Sequence, residues 1–200
     1  MSNENSCDKI DEKFEYGKTY YFDKSGIYIN ETEVQTLKTE CVSIVKACCR
    51  LQLPKGFNFS HDCPGMCFDL SNLTCIKSPL TQRLIIPDVG NKHAIECEPV
   101  VGYEIRTVGD VNFSVSTPLC PVKGSCFPVS SHTCCSATAP VNHVISYSCC
   151  PQPCPPGLPC VDWTFAFFVV RKIEDPCGPY LHINMGVALE YTGVCECDEE

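Results

Sequence analysis

Leu181-His182-Ile183-Asn184-Met185-Gly186-Val187-Ala188-Leu189-Glu190-Tyr191-Thr192 is the stretch that decides the fold. Leu181, Ile183, Met185, Val187, Leu189 and Tyr191 fall on one side, and His182, Asn184, Gly186, Ala188, Glu190 and Thr192 on the other. A period of two held this long predicts a β-strand with one buried face. Upstream, residues 161–170 are apolar on both faces, as expected of a central strand, and Glu174 to Pro179 is rich in turn residues that return the chain into the Leu181 strand. Val101, Tyr103, Ile105 and Thr107 and then Val111, Phe113, Val115 and Thr117 alternate across Val108-Gly109-Asp110, which reads as one hairpin turning at the glycine. Short strands are expected at 18–22, 26–30, 40–53 and 82–89, and no stretch shows a helical period. The fold class expected is therefore all-β, an antiparallel β-sandwich.

Composition sets the second problem. Nineteen of 200 residues are cysteine and 16 are proline, with 15 Lys plus Arg against 24 Asp plus Glu, a net charge of −9. Enough apolar material is present for a packed core. The acidic balance disfavours nucleic acid or an anionic membrane surface as a partner. The longest apolar run, Trp163 to Val170, is far below the ~20 residues a membrane helix needs. The N-terminal Met1 to Lys13 shows neither the basic nor the apolar region of a secretory signal peptide, although the cysteine content is that of an oxidised, exported chain.

The cysteines are unevenly spread. Residues 1–40 carry nine acids and five lysines with one cysteine, whereas 120–160 hold eight cysteines and eight prolines with Lys123 as the single charge. The latter is read as a Cys/Pro-rich inserted segment that is held by cross-links or lies against another surface, because it offers too little periodic apolar surface for a core of its own. The expected organisation is a charged N-terminal arm (1–17), a β domain (18–194) and an acidic Cys-x-Cys tail (195–200), with flexible termini.

Metal, catalysis and cross-linking compete to explain the thiols. No C-x-x-C knuckle occurs, which argues against structural zinc. The best local metal set is Cys63, Cys67 and Cys75 with His61, but a disulfide-closed loop around Pro64-Gly65 explains the same residues more simply. Phosphate loops, H-E-x-x-H and G-x-S-x-G are absent, the five histidines are scattered, and no catalytic residue or cofactor is assigned. The sequons at Asn30, Asn58, Asn72 and Asn112 read as polar strand and turn positions.

Three vicinal pairs carry more information: Cys48-Cys49, Cys134-Cys135 and Cys149-Cys150. Neighbours on an extended strand point to opposite faces, so each pair is a branch point with two different partners. Either both sulfurs staple one chain, or one stays within the subunit while the other crosses to a neighbour. Nineteen is odd, so a fully oxidised monomer leaves at least one thiol over. Cys7 in the N-terminal arm and Cys195 and Cys197 in the tail are the candidates for disulfides between subunits.

In composition and cysteine layout, with vicinal pairs, an N-terminal arm cysteine, Ser148-Cys-Cys-Pro-Gln-Pro-Cys-Pro-Pro-Gly-Leu-Pro-Cys160 and a Cys-x-Cys end, the chain resembles the cysteine-rich structural proteins of bacterial spore outer layers. These are exosporium and coat lattice proteins and the β-sandwich subunits of spore-appendage fibres. The resemblance implies synthesis in the cytosol without export, self-assembly into a sheet or fibre with copies of itself and other spore-surface proteins as partners, and disulfide locking, with Cys7 as a connector cysteine. A secreted cysteine-rich binding module or adhesin is the second expectation, and a metal-sequestering protein the third.

Overall fold

A computed structural model of the chain describes residues 14–37, 42–60, 64–80, 85–86, 95–96, 102–123, 131–156 and 159–195. Along the chain run β1 (Thr19–Asp23), β2 (Tyr28–Ile29), α1 (Glu31–Leu37), β3 (Ser43–Gln52), β4 (Phe57–Phe59), β5 (Gly65–Asp69), β6 (Thr74–Pro79), β7 (Ile85–Ile86), β8 (Ile95–Glu96), β9 (Tyr103–Pro121), β10 (Ser131–Ser148), β11 (Val161–Ile173) and β12 (Tyr180–Tyr191). All their pairings are antiparallel, so the all-β class expected from the sequence is the class observed.

One sheet has the order β2-β1-β11-β12-β3. β12 carries the expected alternation: Leu181, Ile183, Met185 and Val187 are wholly buried. β11 is central, as its two apolar faces required. In the second sheet β9 pairs with β10 along one edge and with β6, β5 and β4 in turn along the other. Val111, Phe113 and Val115 of β9 join Val45, Phe168, Ile183 and Val187 of the first sheet in one buried cluster. Each such side chain taken out of water stabilises by about 1.5–3 kcal/mol. Phe68 of β5 meets Trp163 of β11 edge to face at 5.0 Å, and Phe14 and Phe168 stack on Tyr20 at 5.3 and 5.8 Å.

Several expectations are corrected. Gly109 does not turn a hairpin: residues 103–121 form one continuous strand. The hairpin lies opposite, because β6 pairs with 103–108 and β5 with 112–116, leaving the Asn72 turn over Gly109. A Cβ there would meet the Asn72 carbonyl oxygen at 2.1 Å, at a φ of +132°. The residue is glycine because another backbone passes over it.

A helix was not expected, yet α1 forms behind a reciprocal cap. Asn30 Oδ1 accepts from the Glu33 amide at 2.9 Å while the Glu33 carboxylate accepts from the Asn30 amide at 2.7 Å. The helix lays Val34 on Phe165 and Ala188, covering part of the first sheet's outer face.

The Cys/Pro-rich segment is not an insertion. Its residues 131–148 are β10, an integral strand, and the low charge that disguised it belongs to a strand with small neutral residues on both faces. The boundaries move as well. Phe14 is buried and the Gly17 amide bonds the Val170 carbonyl, so 14–17 belong to the domain rather than to an arm. Strand bounds differ by a few residues from expectation elsewhere; of the 82–89 strand only Ile85–Ile86 is described. Among the described residues no helix is long and apolar enough to cross a membrane.

Candidate functional site: a stapled core with outward thiols

Three disulfides with both partners described tie the layers: Cys49–Cys135, Cys75–Cys160 and Cys154–Cys195. Cys49 lies on the core side of β3 and Cys135 on the core side of β10, so that bridge runs from one sheet to the other. A second tie runs alongside it, a hydrogen bond between the Ser43 hydroxyl and His143 Nδ1, which the sequence did not suggest. Cys75–Cys160 joins β6 to the start of β11, and Lys77 next to it donates to the carbonyls of Cys150 and Cys195 at 3.2 and 2.6 Å. At the far edge of the first sheet, Lys24 hydrogen-bonds the Asp162 carboxylate and holds it below the usual carboxylate range.

The vicinal pairs divide as extended geometry requires. Cys48 and Cys134, each one residue before a bridged cysteine, are exposed and free on the outer faces of the two sheets. Cys149 and Cys150 are both disulfide-bonded, with Cys149 exposed and Cys150 buried. Cys67, Cys120 and Cys177 are also free and exposed. Cys67 stands across from Ser114 and Cys134 across from Ser116, on the two strands that flank β9, so the second sheet's outer face carries Cys67, Cys120 and Cys134 together. Cys177 sits in the expected turn, its amide bonded to Asp175 Oδ1 at 2.9 Å.

Cys195 is corrected. It is not a tail cysteine reaching out of the fold: it is buried, bonded to Cys154, and its amide bonds the Tyr191 hydroxyl at 2.9 Å. The chain is anchored there because Tyr191, the last apolar residue of the β12 alternation, supplies the acceptor. Cys7 and Cys197, the other two candidates for links between subunits, lie outside the described residues. The candidate metal set is not brought together. Cys75 is bridged to Cys160, while Cys67 is a free thiol on a different strand, which also removes the small disulfide loop considered for these residues. His61 and Cys63 lie outside the described residues. Among the described residues no three His, Cys, Asp or Glu side chains are grouped to hold a metal ion.

Fold and site together define a class: an all-β protein whose layers are joined by internal disulfides and whose outer faces carry additional free thiols. No protein-family model, curated protein or solved structure matches this chain.

Proposed function

We propose that this chain is a self-assembling structural protein whose copies are joined by disulfides into a sheet or fibre, with a spore outer layer as the setting that its composition implies. The supporting observation is the surplus of thiols. The core has its bridges, yet Cys48, Cys67, Cys120, Cys134 and Cys177 remain free and exposed. A free cysteine is ordinarily among the most buried of residues, and an exposed one is open to thiol–disulfide exchange. Rigid strands hold four of these thiols at fixed places on opposite faces, which suits a repeating contact better than an adaptable ligand site.

The β-sandwich reading belongs with this function, as a rigid two-layer unit with thiols on both outer faces. Edges add a non-covalent route. Among the described residues β10 pairs with β9 alone over its 18 residues and carries no Lys, Arg, Asp or Glu, whereas natural edge strands are commonly guarded by charge. Contact along such edges is reversible, and oxidation makes it covalent. The chain acts mechanically and not as an enzyme.

Electron microscopy of purified full-length protein, with and without reductant, tests the reading. Ordered sheets or fibres that persist in detergent until reductant is added are expected. Dispersed particles of monomer size under both conditions would refute it.

A further inference from the structure

Cys48 differs from the other free thiols in the charge that surrounds it. On an extended strand, the residues two before and two after a side chain share its face. For Cys48 these are Lys46 and Arg50, whereas for Cys67 they are Gly65 and Asp69, for Cys120 Pro118 and Val122, and for Cys134 His132 and Ser136. Cys177, in its turn, has the Asp175 carboxylate on its own amide.

The strands beside β3 add charge of the same sign, in a protein whose net charge is −9. Asn184 of β12 stands opposite Cys48; in the next row His182 stands opposite Arg50, and Arg171 of β11 opposite His182. Lys46, Arg50 and Arg171 are exposed, as Cys48 is. The Arg50 guanidinium lies 4.5 Å over the Tyr180 ring, and among the described residues no carboxylate pairs with Lys46, Arg50 or Arg171. Acids on this face stand well away. Glu190 is six residues from Asn184, about 20 Å along β12. Glu31 of α1 acts on Tyr21 of β1, and Asp23 is on β1 too, with β11 and β12 between that strand and β3.

A nucleophilic sulfur among cations is matched to a disulfide that carries anionic groups. We propose that Cys48 is a modification site for an anionic low-molecular-weight disulfide of the glutathione type, one half of which stays on Cys48 as a mixed disulfide with its carboxylates against Lys46, Arg50 and Arg171. The site needs one copy of the chain and a small molecule, so it goes beyond the assembly reading and does not depend on it.

The step balances without a further reagent. The Cys48 thiolate attacks one sulfur of the small disulfide, whose S–S bond breaks as the new one forms. The other half leaves as a thiolate and takes up the proton that Cys48 gave up, so the protein sulfur is oxidised and the departing half reduced. Among the described residues no free thiol is placed to resolve the product. Cys49 is committed to Cys135 on the core side, and Cys67, Cys120 and Cys134 lie on the outer face of the other sheet. Cys177 precedes Tyr180, whose partner Gln52 is four residues, about 13 Å, along β3 from Cys48. The mixed disulfide therefore persists until a thiol from outside reaches it.

The test exposes full-length protein, with its bridges intact, briefly to glutathione disulfide, negative on each half, or to cystamine, positive on each half. Remaining thiols are alkylated, and mass spectrometry of the digest reads the fraction modified at each cysteine. Dividing the two rates at one site cancels differences in exposure. The ratio in favour of glutathione disulfide is expected to be about tenfold higher at Cys48 than at Cys67, because a local field of one sign changes encounter rates by that order. Salt at about 0.5 M should bring the two ratios within about twofold of each other. The triple variant Lys46→Glu, Arg50→Glu, Arg171→Glu should turn the Cys48 preference towards cystamine. Equal ratios at Cys48 and Cys67 in low salt would overturn the proposal, as would a Cys48 preference that survives high salt or the triple variant. The reagent comparison is made on the unaltered chain, so a variant that fails to fold leaves it decisive.

Discussion

Cys49 of β3 is joined to Cys135 of β10, and the residue before each, Cys48 and Cys134, points away from the core to the opposite outer faces of the molecule. Two vicinal pairs thus meet through their inner sulfurs and leave the outer ones free. The bridge closes a long stretch of chain, since its ends are 86 residues apart in sequence. It should therefore restrict the unfolded ensemble strongly. The double variant Cys49→Ser, Cys135→Ser is expected to lose about 2–5 kcal/mol of unfolding free energy, read from urea denaturation under non-reducing conditions. A loss below about 1 kcal/mol would mean that core packing alone holds β3 to β10.

Gly109→Ala tests the crossing of the β5–β6 turn over β9. The new methyl would collide with the Asn72 carbonyl and hold a backbone conformation that L residues avoid. A loss of about 2–4 kcal/mol is expected from denaturant unfolding. An unchanged midpoint would place the Asn72 turn elsewhere.

Thr107 and Thr117 are wholly or almost wholly buried, and their hydroxyls have no hydrogen-bond partner among the described residues. A buried unsatisfied hydroxyl costs free energy that a methyl of the same shape does not. Thr117→Val is expected to raise stability by about 1 kcal/mol, and differential scanning calorimetry would record the higher melting temperature. A drop would show that the hydroxyl has a partner.

These sites show what the sequence reveals and what it conceals. The strand from Leu181 was legible because one of its faces is buried throughout, so hydropathy alternates without interruption. β10 was hidden: Thr133, Cys135 and Ala137 face inward and Cys134, Ser136 and Thr138 outward, side chains too alike in polarity to mark a face. Its Pro140 is tolerated because the strand lies at a sheet edge. Gly109 misled because a glycine required by a neighbouring backbone looks the same in sequence as one required by a turn. α1 has a readable signal in Asn30-Glu-Thr-Glu33, but a seven-residue helix contributes too short an apolar stripe for periodicity to register. The opposed faces of vicinal cysteines followed from strand geometry alone. That Cys195 turns inward to Cys154 depends on a tertiary contact, and spacing carries no trace of it.

Replacing the five exposed thiols together, Cys48→Ser, Cys67→Ser, Cys120→Ser, Cys134→Ser and Cys177→Ser, separates stapling from joining. Exposed substitutions of this kind cost at most about 0.5 kcal/mol each, so the variant is expected to fold and to melt within a few degrees of the parent. Covalent oligomers should fall several-fold on non-reducing gels. A variant that fails to fold, or one that cross-links as fully as the parent, would contradict the division of labour between inner and outer cysteines.

The central claim is that copies of this chain become covalently joined. It is tested most directly by the mass distribution of the full-length protein on a denaturing, non-reducing gel after reduction and slow reoxidation with glutathione disulfide. The account predicts a ladder extending to material too large to enter the gel, which collapses to monomer with reductant. A single sharp monomer band after complete reoxidation would contradict it.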